Sequence, residues 1–194
     1  MTAATPHHFF RSATDLLATG GVSALTLASV CKRTEVTSGS FYHHFGSWDR
    51  FVGRFLDDWE SHWTQRIIQI SNQPADARSR FDALIRLAGT VPHAAESSIR
   101  AWANSNPAVA AAQERVDAQR LDHIRSLLSQ IVDDARDVER LATFVLSAFV
   151  GAELLHGGMT PASIGSVFED IRTYVLAVAS GVVVLGGTGS NGAT

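Results

Sequence analysis

The sequence predicts an all-α protein, a three-helix N-terminal unit joined through a long fourth helix to a larger helical body. Three features predict it. Apolar residues recur every three or four positions through almost the whole chain. No segment alternates apolar and polar residues as a half-buried strand would. Helix-start signals precede the apolar runs, and three of them, Thr5-Pro6, Asn106-Pro107 and Thr160-Pro161, put proline in the first turn, where its missing N–H is not needed.

The first helix is expected from about Pro6 to Thr19, capped by Thr5, with Phe9, Ala13, Leu16 and Leu17 on one face and Gly20-Gly21 ending it. A short second helix starts at Thr26 and runs to about Thr34 on an inner stripe of Leu27, Val30 and Cys31. A third runs from about Thr37 to Phe45 and stops at Gly46. Ser47 caps a long fourth helix, with Asp49 in its first turn, where a negative charge meets the positive helix end. Its face is marked by Trp48, Val52, Phe55, Trp59, Trp63, Ile67 and Ile70. The stretch "SNQPAD" breaks the chain near Pro74. Helices are then expected over about Asp76–Val91 and Ala95–Ala103, and from the Asn106 cap to about Ile131. Two more, about Asp134–His156 and from Pro161 onward, finish the fold. The fragment "VVVL" near the end is the one β-like run, and it has no partner. The closing "GGTGSNGAT" has nothing to pack, so a disordered tail is expected over 182–194.

With 45% hydrophobic and 18% charged residues, the 194-residue chain is not wholly disordered and is long enough for a real core. The net charge of −3 argues against a uniformly basic nucleic-acid binder, but it hides an asymmetry. Residues 1–54 carry Arg11, Lys32, Arg33, Arg50 and Arg54 against Asp15, Glu35 and Asp49, a balance of +2, and the rest of the chain carries −5. His7, His8, His43 and His44 also sit in the first part. Cys31 is the only cysteine, so no intrachain disulfide forms, which fits a reducing cytoplasm. The N-terminus lacks the basic start and long apolar run of a secretory leader, and no apolar run approaches the ~20 residues of a membrane helix. A cytoplasmic location with no membrane partner is expected.

The stretch "TEVTSGSFYHHFGSWD" is the most informative. A helix, the tight connection Thr34-Glu35-Val36 and a second helix give the geometry that lays the second helix into a major groove. Val36, Phe41 and Phe45 point inward, leaving Thr37, Ser38, Ser40, Tyr42, His43 and His44 largely outside. Small hydroxyls suit close approach to a DNA backbone. Gly39 removes a side chain that would block it, and helix N-terminal N–H groups favour phosphate.

The segment Leu25–Val52 resembles the N-terminal helix-turn-helix of TetR/AcrR-type transcriptional regulators, matching at Leu25-Thr26, Val36, Gly39, Phe41-Tyr42, His44-Phe45 and Ser47. The stretch from Ile99 to Leu121 is more loosely similar to the sensor domains of that family. The resemblance implies a DNA-binding domain over 1–47, an effector-binding and dimerisation domain over 48–181, and a role as a ligand-responsive regulator, a repressor in the main expectation. It also implies that Thr26 touches phosphate, that Thr37, Ser38, Ser40 and His43 face base edges or nearby phosphates beside Gly39, and that Tyr42 and His44 hold the backbone, with Lys32 or Arg33 as flanking charges. Two departures stand out. Glu35 replaces the turn glycine, and if the backbone is left-handed there it costs about 1–2 kcal/mol. Trp48 replaces a lysine that contacts phosphate in the family, leaving its indole N–H or plain packing in exchange and a weaker salt dependence. No Arg on this helix is placed to grip guanine, so specificity is expected from few contacts and DNA shape.

In the body, "LATFVLSAFVGAELL" is apolar nearly all round, so the helix that carries it must be covered on every side. A homodimer through about 134–156 and 161–180 is the simplest cover, and complete burial within one subunit is the alternative. Trp59, Trp63 and Trp102, with Phe81, His123 and Phe144, are the candidate ligand-binding residues for a small apolar or amphipathic effector, although ordinary core packing explains each tryptophan equally well. His93, Arg100 and His156 are further polar candidates. Glu96 and Arg100, four apart, are expected to form a solvated pair. Adjacent His43 and His44 point about 100° apart and make no metal site. No nucleophile elbow, phosphate loop or HExxH occurs, so neither catalysis nor a cofactor is expected. The rival reading is a helical binding or scaffolding protein that has lost DNA binding, suggested by Glu35, Trp48 and the thin basic count.

Overall fold

The computed structural model describes residues 5–155, 161–183 and 185, and every regular element among them is helical. His156, Thr160 and most of the tail expected over 182–194 lie outside the described residues, while Val182, Val183 and Leu185 form no strand.

Helix α1 spans Pro6–Ala24. The Thr5 side chain makes no capping bond; its carbonyl instead accepts from the His8 N–H at 2.9 Å, since Pro6 leaves the first turn with one donor fewer. The expected glycine stop is present as a break within the element. Gly21 has φ 65° and ψ −163°, outside the helical region, and the last turn to Ala24 follows it. A Cβ on Gly20 would sit 2.6 Å from that of Ala24, so the fold-back requires glycine there.

Helices α2 (Leu27–Thr34), α3 (Ser38–Phe45) and α4 (Trp48–Glu60) begin with side-chain caps. The hydroxyls of Thr26, Thr37 and Ser47 accept from the N–H groups of Ser29, Ser40 and Arg50 at 3.1, 3.2 and 3.1 Å. Between α2 and α3, Val36 N–H bonds the Cys31 carbonyl at 3.0 Å and Glu35 N–H the Lys32 carbonyl at 3.4 Å, the paired closing bonds of a Schellman ending. That ending needs one left-handed residue, and Glu35 supplies it with φ 55° and ψ 37°, the sole positive φ at a non-glycine among the described residues.

The long fourth helix is not uniform. After α4 the chain widens into a π-turn at Ser61–Gln65 and resumes as α5 (Arg66–Ser71). Trp63 and Thr64 lie on that turn; such turns lose register locally and recur at functional sites. Then come α6 (Ala77–Ala88), capped by Asp76, α7 (His93–Ala103) and α8 (Pro107–Leu128), capped by Asn106. Helices α9 (Ala135–Leu154), capped by Asp134, and α10 (Pro161–Ala179) close the body.

Two apolar clusters organise these helices. The first joins Phe9, Phe10, Phe41, Phe45, Phe51 and Phe55 and continues past residue 47 to Trp59, Ile99, Trp102 and Val116. The second joins Phe81, Ile124, Leu141, Val145, Phe149, Phe168 and Val175. Helix α7 links them: the Ser98 hydroxyl donates to the Leu17 carbonyl at 2.8 Å, while Trp102 and Ile99 enter the first cluster. Ion pairs lace the body, with Arg172 on Asp82 (α10 to α6) and Arg125 on Glu139 (α8 to α9).

The left-handed Glu35 sets a stability test. Glu35→Gly is expected to raise the unfolding free energy by about 1 kcal/mol, because the steric cost of the left-handed region exceeds the entropy returned to the unfolded chain. Urea unfolding of the two proteins measures it, and a destabilised variant would show that Glu35 makes a compensating contact.

Candidate nucleic-acid interface and body cavity

Phe41 and Phe45, one helical turn apart, fix the orientation of α3. Both are buried, and their rings meet Phe9 at 5.9 and 5.1 Å and Phe51 at 5.1 and 5.0 Å. With that face anchored, Thr37, Ser38, Gly39, Tyr42 and His43 are exposed, Tyr42 at 46%. Ser40 and His44 are half-buried, and the His44 ring rests 5.4 Å from that of Phe9. Gly39 is instructive: a Cβ there would meet only the Thr37 hydroxyl, at 3.7 Å. Nothing in the chain's own packing calls for glycine at this position.

The flanking residues sort into free and engaged. Lys32 is exposed. Arg33 pairs with Asp15 on α1 at 2.8 Å. Thr26 donates its hydroxyl to Ser29 Oγ at 2.9 Å, so Ser29 is the hydroxyl of this pair left to donate outward. Trp48 packs, stacking on Phe41 at 6.0 Å and lying 5.1 Å from Phe51. His7 and His8 are exposed on α1.

Two side chains missed in the sequence complete this surface. Arg50 and Arg54 are exposed, one turn apart on α4, and line a shallow groove with Tyr42, His43 and His44. Arg54 donates to the His44 carbonyl at 3.3 Å and lies over the Phe45 ring at 5.2 Å, at the negative end of α3. The signal was legible, since both follow the Ser47 cap at positions facing the end of α3. Among the described residues, no group of three His, Cys, Asp or Glu is placed to hold a metal ion. Cys31 is buried in α2, and burial pushes its thiol up, away from a reactive thiolate.

The body holds an apolar cavity of about 50 Å³ between α5, α6, α8, α9 and α10. Of the six candidate ligand residues, it brings together Trp63 and His123. Trp59 and Trp102 instead belong to the N-terminal cluster, and Phe81 is buried in the body core without lining the cavity. Phe144 lies on the outer face of α9, 42% exposed, with its ring 5.3 Å from that of exposed Tyr174 on α10. Helical spacing put these rings on apolar faces but did not say which neighbour each face meets.

Beside the cavity lies a buried polar cluster. Glu96 is not part of a solvated pair with Arg100. It is buried, accepting the Trp59 indole N–H at 2.7 Å and pairing with Arg120 at 3.0 Å. Arg100 turns instead to Asp117, in a two-bond pair at 2.7 and 2.9 Å. Arg120 also donates to Thr64 on the π-turn at 3.2 Å. Glu153, fully buried, has His93 Nδ1 at 3.8 Å and Arg100 at 3.9 Å. Burial pushes the Glu153 carboxyl up to about 7. His123 meets Ser71 Oγ at 2.8 Å, and burial pushes its pKa down, so it is neutral near pH 7.

An exposed second helix on a tight turn, held out by an aromatic core, defines a helix-turn-helix protein. Comparison with known proteins places it further. Residues 9–52 match the model of bacterial regulatory proteins of the tetR family. The fold is similar to that of a transcriptional regulator from Rhodococcus sp. Rha1, with 16% identity, a TM-score of 0.76 and 94% of this chain on 100% of that one. It is similar to a TetR-family regulator from Streptomyces coelicolor, at 17% identity and TM-score 0.72, covering 90% and 95%. It is also similar to a transcriptional regulator from Saccharomonospora viridis in complex with choline, at 18% identity and TM-score 0.70, covering 88% and 95%. No curated protein matches the sequence. Residues 9–52 thus match the tetR-family model, and the chain as a whole shares the all-α fold of these regulators.

The raised carboxyl sets a pH test. Glu153 holds its proton better when folded than when unfolded, so stability falls as pH climbs from the ordinary carboxylate range through about 7. His93, Arg100, Glu96 and Arg120 face the same carboxyl. Glu153→Gln is expected to flatten this decline, with a gain of up to about 3 kcal/mol at pH 8 relative to pH 5. Thermal melts across that range check it, and an unchanged slope would contradict the assignment.

Proposed function

We propose that the chain is a ligand-responsive transcriptional repressor that binds operator DNA as a homodimer. The carrying observation is the outward face of α3, where Gly39 leaves a gap that its own fold does not need, among exposed Thr37, Ser38, Tyr42 and His43. In this reading Thr37, Ser38, Ser40 and His43 meet base edges or nearby phosphates. Thr26 with Ser29, Lys32, Tyr42, Arg50 and Arg54 meet the backbone; Arg33 and His44, already engaged within the protein, contribute less, and Trp48 supports α3 from behind. The two Arg side chains supply the charge that a lysine at position 48 would bring.

The outer faces of α9 and α10 support self-association. Phe144 on α9 and Tyr174 on α10 are exposed large apolar residues in ring contact there, and Leu154 and Leu155 are exposed at the end of α9. Pairing these helices with a second copy buries them in a four-helix contact and holds two α3 helices at a fixed spacing, about 34 Å or a multiple for successive major grooves. The body cavity is the place for the effector, and the choline held by the Saccharomonospora viridis protein supports a small-molecule role for such a body. Trp63 and Thr64 carry the cavity wall into the α4 line, and Glu96 ties Trp59 to Arg120, so an occupant that prefers one arrangement shifts the spacing of the α3 pair. No described helix is long and apolar enough to cross a membrane, and a cytoplasmic location goes with this reading.

Two measurements test this reading. Gly39→Ala is expected to leave the protein as stable or up to ~1 kcal/mol more stable, since alanine favours a helix, yet to weaken binding to the DNA upstream of its own gene about tenfold or more by gel shift. Unchanged affinity would remove Gly39 from the DNA contact, and the absence of a salt-sensitive shift in the parent protein would favour the scaffolding reading. Tyr174→Glu is expected to convert the dimer to a monomer by light scattering and to abolish the shift. A dimer that survives it would move the interface elsewhere.

A further inference from the structure

The surface that the body cavity presents is almost wholly apolar. Ile67, Leu84, Val145 and Ile171 line it together with the rings of Phe149 and Phe168. Three polar residues, Thr64, Arg120 and His123, also border it, and each is engaged within the protein. The Thr64 hydroxyl accepts from Arg120 Nε at 3.2 Å, Arg120 Nη1 donates to Glu96 at 3.0 Å, and His123 Nε2 meets the Ser71 hydroxyl at 2.8 Å. Arg120 Nη2 has no hydrogen-bond partner among the described residues, but it is buried and has no surface open to the cavity.

This arrangement narrows the class of occupant. A polar molecule that enters leaves its hydrogen bonds to water behind and meets no exposed donor or acceptor in return. An anion gains nothing from Arg120, whose charge is already answered by Glu96. A cation fares no better. The Arg120 guanidinium lies 5.3 Å from the Phe149 ring, so the ring face that could hold a cation has one already. Hydrocarbon forfeits no hydrogen bond and gains by leaving water. The cavity volume of about 50 Å³ sets the size. An apolar cavity of roughly 150 Å³ stays dry and takes benzene, so this one suits a molecule of only a few carbon atoms.

We infer that the body cavity binds a compact neutral hydrocarbon, held against Ile67, Leu84, Val145 and Ile171 without any hydrogen bond, and that it rejects molecules of the same shape that carry a polar or charged atom. This rests on the reading of the body as an effector domain and names the chemistry of its occupant. It sets the chain apart from the Saccharomonospora viridis protein, which holds the cation choline.

The test uses three probes of one shape on the full chain: propane, dimethyl ether and dimethylammonium. Methyl-group NMR reads the binding, because shifts at Ile67, Leu84, Val145 and Ile171 report the cavity itself. Propane is expected to move these signals and to bind about tenfold or more tighter than dimethyl ether, with dimethylammonium weaker still. Ala88→Leu fills the cavity from α6 and should abolish the propane shifts. Thermal melts check that this variant folds, and Ala88→Val is the milder filling if it does not. Dimethyl ether or dimethylammonium binding as tightly as propane overturns the hydrocarbon assignment and leaves the effector reading standing. Propane shifts that survive the filled cavity overturn the assignment of the site. Failure of all three probes to bind overturns both the hydrocarbon assignment and the effector reading.

Discussion

The burial of Phe41 and Phe45 against Phe9 and Phe51 is the constraint on which the rest of the structure depends. Two rings one turn apart leave an eight-residue helix a single orientation. With its inner face committed, the run Phe-Tyr-His-His-Phe divides, with phenylalanines inward, Tyr42 and His43 outward, and His44 at the edge against Phe9. The left-handed Glu35 and the caps at Thr26 and Thr37 set the angle at which α3 leaves α2. Trp48 adds its ring to the same anchor.

That unit does not stand apart from the body. Its aromatic core runs on through Trp59 into α7 and α8, and Ser98 fastens α7 to the end of α1. The same α7 carries Glu96, whose two carboxylate oxygens hold Trp59 on one side and Arg120 on the other. Few side chains therefore separate the cavity wall from the helices that position α3. Buried ionic groups of this kind contribute modestly to stability, because desolvation offsets much of their attraction, but they restrict the arrangements that the helices can take. The π-turn at Ser61–Gln65 adds the complementary feature, a point of loosened register beside the cavity.

Local rules were read well from the sequence. The caps at Ser47, Asp76, Asn106 and Asp134, the stop at Gly46 and the break at Gly20-Gly21 all depend on neighbours within a few residues, and their physics is written in the chain. Periodicity likewise revealed which face of each helix is apolar. It could not reveal which distant face each one meets. Trp59 and Trp102 looked like pocket residues and are core of the N-terminal unit, and Phe144 lies on the outer surface. Glu96 and Arg100 looked like a solvated pair because a four-residue spacing is visible in sequence, whereas Glu96 with Arg120, 24 residues apart, is not. The π-turn has no signature in the composition of its five residues, and Arg50 and Arg54 stand out in the sequence only as part of the charge balance, not as neighbours of α3.

The central claim is that α3, in a self-associated pair, enters successive major grooves. Retention of duplexes from a random-sequence pool, followed by methylation protection of the retained sites, tests it most directly. The account predicts two clusters of protected guanine N7 positions, about 34 Å apart or a multiple of that, arranged as an inverted repeat. Failure to retain any duplex at low salt, or protection confined to a single cluster, would contradict it.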